Sequence, residues 1–573
     1  MKGGVVSTNL ARCRDCYRCV RNCSVKAVRV QNGQAQVVPE LCITCGTCVR
    51  VCPQGAKSVR DDRPAVYAAI QAGRTVVASV APSAPAYFGH KSFAQMEEAL
   101  KALGFTAAGE TAYGAEMVGL AHRELVESSP DRWPIITSSC PVVVSLIEKY
   151  YPDLIPHLAT IVSPMVAHGR WLRQKYGDDA MVVFIGPCIA KKAEIQEPEV
   201  AGVVDAALTF KELAEWMTSQ GVAIPEPPAA EEEPQVERAG ARLFPVEGGL
   251  SATARMSTDI LDSEIVTTSG LGACRDVLKA IQTGELQARL VDLLACGGGC
   301  INGPAMEGQA SVTLARQRIL EFAARRQPQP LPTRAEWPAL TRGFSDKSVP
   351  VPQFSEEQIK MVLRLVDKYT PEDELNCGAC GYATCRDKAV ATLRGMAEAT
   401  MCIPYMRRRA ESLRQVVMDV TPNAIIVVDT RLRIQDMSPS AEQLFGCRLA
   451  SVAGQPLQTV MPVVDGFARV RDDGRAILSE TVRLHDNLIV EQTIVPVEGQ
   501  NLMVGILRDV TEREQQRAQL ERIRTETLMR TQDVVKNQMR VAHEIAQLLG
   551  ETTAETKVML SKLAELLKEG NTR

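Results

Sequence analysis

Cysteine is the residue type with the most obvious chemistry in this chain of 573 residues, which contains 18 of them. All but Cys274 and Cys447 fall into four sets of four, and most of them have short spacings, as metal ligands do in a long chain, whereas disulfide frameworks are typical of small secreted domains. Cys274 lies in a helical pattern and Cys447 lacks the setting of a ligand, so both are predicted to pack as small apolar side chains. Groups of four thiolates are the ligands of 4Fe-4S clusters. The cysteines therefore predict iron–sulfur chemistry in the reducing cytoplasm.

The sharpest pattern lies in residues 1–62, where C-x2-C-x2-C-x3-C occurs twice. This is the bacterial two-cluster ferredoxin spacing, in which the fourth cysteine of each group ligates the other cluster. The predicted ligands are Cys13, Cys16, Cys19 and Cys52 for the first cluster and Cys42, Cys45, Cys48 and Cys23 for the second. Zinc is the alternative, but zinc sites favour paired CxxC motifs over runs of three cysteines. The segment is predicted to carry single electrons.

Three further stretches lie in the middle of the chain: TSSCP at 137–141, GPCIAKKAE at 186–194 and DLLACGGGCINGP at 292–304. Together they supply the thiols of Cys140, Cys188, Cys296 and Cys300, enough for one cubane cluster. The glycines between the last two cysteines favour a loop folded over something bulky rather than a helical turn.

These three stretches resemble, in the same order, the three signatures of the iron-only (FeFe) hydrogenases. In that family the four cysteines hold a 4Fe-4S cube, and one of them bridges to a di-iron subcluster with carbonyl, cyanide and dithiolate ligands, which completes the H-cluster. The resemblance implies that Cys300 is the bridging thiolate, that Lys191 donates to an iron-bound cyanide and that Glu194 is the acid closing the second signature. A plain cubane held by the same loops is the alternative.

Several positions depart from the pattern of that family. Ser139 stands where catalytic members usually have a proton-passing cysteine, and a hydroxyl is a poorer acid and base than a thiol at neutral pH. Gly186 and Leu294 replace methionines that are usual in the second and third signatures. In the helix predicted at 115–127, His122 lies where a relay acid is expected, and a lone histidine on a helix is more often simply hydrogen-bonded. The ligands are therefore predicted to be intact and proton transfer to be slow.

The elements that must position these residues follow from the apolar pattern between residues 64 and 326. Buried strands are predicted at 76–82, 134–136, 181–185 and 206–210, alternating with helices. The signatures follow the ends of strands, where the sites of α/β folds form. The resemblance implies two α/β lobes with the cluster in the cleft between them.

A proline-rich linker is predicted at 327–354, ahead of Cys377, Cys380, Cys385 and Cys402. Their C-x2-C-x4-C-x16-C spacing resembles the small 4Fe-4S domain of corrinoid iron–sulfur proteins. Residues 355–406 are therefore predicted to hold a third accessory 4Fe-4S cluster, with zinc as the alternative.

A connecting helix is predicted at 407–421, and residues 422–510 resemble a PAS domain. That family binds flavin, haem or small ligands, and the sequence selects none of them, so an empty core used for dimerisation is equally open. Residues 511–573 are strongly helical, with apolar residues at a/d spacing before and after Gly550. This pattern predicts a helical hairpin or coiled coil and a homodimer.

The formal net charge is −3, without a block of like charge or a long apolar run. Neither a nucleic-acid partner nor a membrane is expected. The fold class is a multidomain α/β protein: a ferredoxin-like N-terminal domain, a two-lobed α/β hydrogenase core, a small 4Fe-4S domain, a PAS α+β domain and C-terminal helices.

The resemblance implies a sensory FeFe hydrogenase that binds dihydrogen and slowly oxidises or evolves it, with protons as the other substrate. It would exchange electrons with a redox partner protein and report to a downstream signalling protein that the sequence does not identify. The alternative is a non-catalytic redox or oxygen sensor with an ordinary cubane.

Overall fold

The computed structural model describes residues 4–226, 240–259, 261–306, 311–325, 333–485, 487–549 and 554–569. The chain divides into two compact units, Met1–Met406 and Arg407–Arg573. Residues 327–332 of the predicted linker and the predicted helix break at Gly550 lie outside the described residues. Across the described ranges, no helix is both long and apolar enough to cross a membrane.

The N-terminal segment is built from two ligand loops, each followed by a short helix. Its elements are β1 (Val6–Thr8), α1 (Arg18–Asn22), β2 (Val28–Gln31), β3 (Gln34–Val37), α2 (Thr47–Arg50) and β4 (Lys57–Val59). β1 pairs with β4 and β2 with β3, both antiparallel. Since Cys19 lies in α1 and Cys48 in α2, the same local structure presents each group of cysteines.

The middle of unit 1 contains two parallel sheets. The first half supplies α3 (Arg63–Gln71), β5 (Val76–Val80), α4 (Ala84–Phe88), α5 (Phe93–Ala102), β6 (Ala107–Glu110), α6 (Ala112–Ser128), β7 (Ile135–Ile136), α7 (Pro141–Tyr150) and α8 (Pro164–Tyr176). The second half supplies β8 (Met181–Gly186), α9 (Lys191–Glu194), β9 (Ala206–Thr209), α10 (Phe210–Gln220), α11 (Gly249–Thr253), β10 (Ile265–Ser269), α12 (Leu271–Gln282), β11 (Leu290–Leu294) and α13 (Val312–Ala323).

One sheet has the order β6-β5-β8-β9 and the other the order β10-β11-β7, with every pair parallel. Every residue of β5, β8 and β11 is buried, as expected for parallel strands with helices on both faces. The predicted mixed α/β class is confirmed.

The end of unit 1 contains α14 (Glu356–Arg364) and α15 (Cys385–Leu393), followed by α16 (Ile403–Val420). α16 begins directly after Cys402, four residues before the predicted start of the connecting helix at 407. The described part of the predicted linker packs on the α/β core through backbone bonds from Arg342 N–H to Thr160 and from Lys347 N–H to Glu148.

Unit 2 contains a five-stranded antiparallel sheet of order β13-β12-β16-β15-β14. Its elements are β12 (Ala424–Asp429), β13 (Ile434–Met437), α17 (Pro439–Phe445), α18 (Leu449–Val452), α19 (Asp465–Asp473), β14 (Ile477–His485), β15 (Leu488–Val497) and β16 (Leu502–Asp509). Phe467 of α19 packs on the sheet at Gly505, where an added Cβ would lie 2.2 Å from the ring. The sheet and its single helical layer match the predicted PAS fold.

Two helices, α20 (Thr511–Leu549) and α21 (Ala554–Glu569), follow the sheet. Their apolar residues at a/d spacing are largely exposed within one chain, Val541 by 45% and Met559 by 75%. The predicted hairpin or coiled coil therefore depends on a partner surface beyond a single chain, and it stays a prediction.

Candidate functional site

The four cysteines of the three central stretches each follow the carboxyl end of a strand. Cys140 lies between β7 and α7, Cys188 follows β8, and Cys296 and Cys300 follow β11. β7 and β11 are neighbours in one sheet, while β8 lies in the other. The site is therefore assembled from both sheets.

The four thiols lie close enough to shift one another's pKa values. Burial raises the pKa of the Cys188 thiol to about 11, and the nearby Cys140 thiolate adds to this shift. Burial also raises the pKa of Cys296, with contributions from Cys188, Cys300 and Cys140. The pKa of Cys300 is raised by burial and by Cys140 and Cys188. Four thiolates held this close together would oppose one another unless a cationic metal centre neutralised them.

The loop between Cys296 and Cys300 requires glycine. Gly298 and Gly299 adopt φ values of +81° and +98°, in the left-handed region that favours glycine. A Cβ at Gly299 would lie 2.3 Å from the Pro245 carbonyl oxygen. This stretch forms a loop with a short 3-10 turn, as the glycine run predicts, and brings backbone close to the cysteines.

A buried chain of charges lies beside the site. Lys191 Nζ donates a 2.7 Å hydrogen bond to Glu194 Oε2, and the Arg342 guanidinium donates to Glu194 Oε1 over 3.2 Å. All three side chains are buried. Sequence reasoning singled out Lys191 and Glu194 but missed Arg342, because that residue lies in a proline-rich stretch and meets its partner across 148 positions of sequence.

Ser139 and Ser138 differ in their environment although they are adjacent. Ser138 Oγ donates a 2.6 Å hydrogen bond to the Ile161 carbonyl. Ser139 is also buried, but its Oγ has no hydrogen-bond partner among the described residues. Ser139, next to Cys140, is therefore the hydroxyl that can bind a group at the site.

His122 is fully buried in α6, and its Nδ1–H donates to the Val118 carbonyl over 2.8 Å. Burial lowers the pKa of His122 to about 4, so the ring is neutral at pH 7. This environment matches a hydrogen-bonded core histidine rather than a group that exchanges protons near neutral pH.

Asp292, in the third stretch, is a buried carboxyl that sequence reasoning left without a role. Thr137 Oγ donates to its Oδ1 over 3.0 Å, while Oδ2 has no hydrogen-bond partner within the described ranges. Burial raises the pKa of Asp292 to about 6. The sequence of the motif could have identified Asp292, since it is the only acidic residue in the 292–304 stretch.

The ferredoxin-like segment brings the predicted second set together. Burial raises the pKa of Cys48, and the Cys42, Cys45 and Cys23 thiols contribute. Cys23 thus lies with the second group despite its position in the first. In the first set, burial raises the pKa of the Cys19 thiol, and the charges of Cys13 and Cys16 raise it further.

Cys52, the fourth predicted ligand of the first set, accepts a 3.3 Å hydrogen bond from Ala56 N–H, just as Cys23 accepts one from Ala27 N–H. The two thiols thus occupy equivalent positions in the two halves of the segment. The ligand role of Cys52 stays a prediction.

The second ferredoxin group lies against the central site. Gly46, next to Cys45, has φ +78°, and a Cβ there would lie 2.5 Å from Pro304 Cβ. Pro304 closes the stretch that contains Cys296 and Cys300. The contact leaves no room for a side chain between the two groups of ligands.

The four cysteines of the predicted third accessory site also lie close to one another. Cys377, Cys380, Cys385 and Cys402 line one cavity, and α15 begins at Cys385 with a capping box formed by Thr384 and Asp387. In the part of the chain that is described, no three His, Cys, Asp or Glu side chains are arranged to hold a single metal ion.

The fold and these sites define a multidomain iron–sulfur protein. Residues 74–304 match the family model of the iron only hydrogenase large subunit, C-terminal domain. Other models match a 4Fe-4S dicluster domain at 5–53, an Fe-S cluster at 373–404 and a PAS fold at 418–515. Residues 74–304 are therefore similar to the large subunit of the iron only hydrogenases, and the chain also matches a dicluster domain and a PAS fold.

Two similar curated proteins are hydrogenase subunits. The chain is 26% identical over 390 residues to the NADP-reducing hydrogenase subunit HndD of Solidesulfovibrio fructosivorans, covering 54% of this chain and 66% of that protein. It is 28% identical over 272 residues to the periplasmic [Fe] hydrogenase large subunit of Nitratidesulfovibrio vulgaris, covering 38% and 64%. The chain thus spans slightly less than two thirds of the length of each.

Two more distant similarities were found. The cytosolic Fe-S cluster assembly factor NAR1 of Vanderwaltozyma polyspora is 37% identical over 87 residues, which is 15% of this chain and 17% of that protein. A solved structure of apo [FeFe]-hydrogenase HydA1 from Chlamydomonas reinhardtii aligns with a TM-score of 0.36 and 22% identity, covering 48% of this chain and 95% of that one.

Proposed function

We propose that this protein is a sensory FeFe hydrogenase of low turnover. The observation that carries the proposal is the convergence of Cys140, Cys188, Cys296 and Cys300 in one site beside the buried Lys191–Glu194 pair. The hydrogenase relatives support it.

The residues present fit an H-cluster. Four convergent thiols whose ionisation is opposed by their neighbours, a loop in which Gly298 and Gly299 have no room for a side chain, and the Ser139 Oγ without a partner among the described residues suit a bulky metal centre at this point. When bound, the H-cluster supplies the metal at which dihydrogen is split. Cys140, Cys188, Cys296 and Cys300 would hold it, with Cys300 as the bridging thiolate.

The protein residues would position groups and move protons around that centre. Glu194 and Arg342 hold the Lys191 ammonium in place, so that its remaining protons can donate to a ligand of the metal. Ser139 can pass a proton only through a chain with water, because its hydroxyl does not ionise near pH 7. Slow proton release therefore suits a sensor, whose output is the redox state of its clusters.

The remaining domains supply the signalling part of the proposal. The twelve other grouped cysteines would hold three accessory 4Fe-4S clusters, and the PAS domain and α20–α21 would pass the signal on in a cytoplasmic homodimer. Val541, Ile545 and Met559, exposed in a single chain, would meet their counterparts in a second copy. The redox partner, the downstream signalling protein and any PAS ligand would be recognised by these domains.

A second candidate is a non-catalytic iron–sulfur sensor with an ordinary cubane at the central site. It is favoured by Ser139, Gly186 and Leu294, which replace residues usual in catalytic hydrogenases, and by the similarity to a cluster assembly factor.

Infrared spectroscopy of the matured protein separates the two candidates, because iron-bound carbonyl and cyanide absorb where protein does not. A sensory hydrogenase shows both sets of bands. A protein that contains the full complement of iron and lacks the bands is the ordinary cubane sensor.

A further inference from the structure

The small cysteine domain at 355–406 docks on the ferredoxin-like segment. An added Cβ at Gly381 would lie 3.0 Å from the backbone nitrogen of Arg21, so the two loops touch directly. The Arg21 guanidinium donates to the Ala379 carbonyl, and Val30 N–H donates to the Met396 carbonyl. The Glu398 carboxylate accepts the backbone N–H groups at 32 and 33. Four separate contacts therefore fix the interface.

The interface brings the third accessory set to the second ferredoxin set. Tyr382, from the small domain, is buried in an apolar cluster with Val20, and Cys23 and Cys380 border the same cluster. Lys26 donates to the Val20 and Arg21 carbonyls and lies within electrostatic reach of the Cys23 and Cys380 thiols. Cys19 is itself a buried member of the cluster and Cys13 borders it. The side chains that link the two ligand sets, Tyr382 and Lys26, nevertheless lie within electrostatic reach of both Cys23 and Cys380, and Cys48 of the second set borders the same cluster.

The C-terminal end of the small domain continues directly into α16. α16 begins at Ile403, immediately after the ligand Cys402, and Met406 N–H donates to the Cys402 carbonyl over 2.9 Å as the first bond of that helix. Lys388 Nζ holds the preceding turn by donating to the Ala399 carbonyl. Negative charge at a helix N-terminus stabilises the first turn through the helix dipole.

We propose that the small domain is the redox output of the protein: its cysteine site takes an electron from the second ferredoxin site across the Gly381–Tyr382 contact and stabilises the start of α16 when it is reduced. This inference rests on the proposed function for the source of the electrons. Each dihydrogen that is split releases two protons and two electrons. One electron moves from the reduced second site, which is thereby oxidised, to the third site, which gains one negative charge beside Cys402.

The test is hydrogen–deuterium exchange of the full-length, cluster-loaded protein, followed over residues 403–412. The protein is compared in three states: oxidised, reduced by dithionite, and held under dihydrogen. Reduction is expected to slow exchange at the start of α16 by about two- to fivefold, the scale of one charge at a helix N-terminus. The Cys385→Ser variant, which loses iron from the third site alone, should lose this difference.

A second variant tests the docking contact without touching a ligand. Glu398→Ala removes the acceptor of two backbone N–H groups at the interface and leaves every cysteine in place. The third site should still load iron, but the magnetic interaction between the reduced second and third sites should weaken in electron paramagnetic resonance spectra. Glu357→Ala, on the exposed side of α14, is the matched control and should change neither readout.

The outcomes separate this inference from the proposed function. A response of α16 to dithionite and not to dihydrogen supports the output role and contradicts hydrogenase activity. No response to dithionite in protein with a reduced third site overturns the inference. A response that persists in Cys385→Ser also overturns it, because the charge then arises elsewhere.

Discussion

Lys191 and Glu194 form a buried ion pair of 2.7 Å one helical turn apart, and Arg342 contacts the second oxygen of the same carboxylate. Each oxygen of Glu194 thus accepts from a different cation. The net positive charge of this group lies near the Cys188 and Cys300 thiols, which would become anionic on binding a metal. The arrangement therefore favours the charged, metal-bound form of the site.

Replacement of Arg342 should destabilise the protein strongly. Arg342→Ala leaves a buried carboxylate oxygen without its donor, and breaking a buried ion pair costs about 3–5 kcal/mol. The midpoint of unfolding in denaturant should fall accordingly. Arg334→Ala is the matched control, because its pair with Glu124 is more than half exposed on both sides and should be worth no more than about 1 kcal/mol. Equal effects of the two variants would show that Arg342 has no special role.

Ser139→Cys should raise hydrogen evolution with an artificial reductant. A thiol at this position can exchange protons near neutral pH, and loss of a positioned acid or base usually costs ~10²–10⁴-fold in rate. The gain should be partial, because Gly186, Leu294 and the neutral His122 remain.

Ser138→Cys is the control for that experiment, since Ser138 is already engaged with the Ile161 carbonyl and should give no gain. If Ser139→Cys matures with intact infrared bands and shows no gain at any pH, proton transfer at this position does not limit the rate.

The free energy of unfolding should decrease as pH rises through the pKa of Asp292. Its pKa is raised from 3.8 to about 6 by burial, so the folded state holds the proton more tightly than the unfolded one. The stabilising contribution is complete below pH 4 and is lost as pH rises through 6, a change of about 3 kcal/mol.

Asp292→Asn should remove this dependence while still accepting from Thr137 through its amide oxygen. Unfolding of the two proteins at pH 5 and pH 7.5 tests the prediction, with the exposed Asp276→Asn as control. Parallel pH profiles for wild type and Asp292→Asn would contradict it.

Cys377→Ser and Cys402→Ser should each remove iron from one site only. Their thiols line the cavity at 377–402, which no cysteine of the ferredoxin or central groups lines. Iron and sulfide analysis should show the loss of one cluster, whereas Cys447→Ser, outside every group, should lose none. Unchanged iron in both ligand variants would refute the third accessory cluster.

Dimerisation should depend on the exposed apolar residues of α20. A double change, Val541→Lys with Ile545→Lys, places charges where the heptad pattern predicts a seam and should shift the molar mass from light scattering toward a monomer. His543→Lys adds a charge on the opposite face and should leave the mass unchanged. A dimer that survives the double change is held elsewhere.

The grouping of most cysteines into sets was predictable because their short spacing is local information. The buried strands were predictable as well, since apolar runs such as that of β5 are continuous. Arg342 was not, because nothing in its neighbourhood marks it and its partner is 148 positions away. The docking of the small domain on the ferredoxin-like segment could not be predicted for the same reason, because Arg21 and Ala379 are 358 positions apart. α16 begins at Ile403, directly after Cys402, earlier than the sequence pattern predicted.

The most direct test of the central claim is the infrared spectrum of the matured protein under dihydrogen and again under argon. We predict carbonyl and cyanide bands that shift under dihydrogen and return when the gas is removed, since binding changes the electron density at the iron. A protein with four loaded clusters and no such bands, or with bands that do not respond to dihydrogen at any pH, would contradict the proposal that this chain senses dihydrogen.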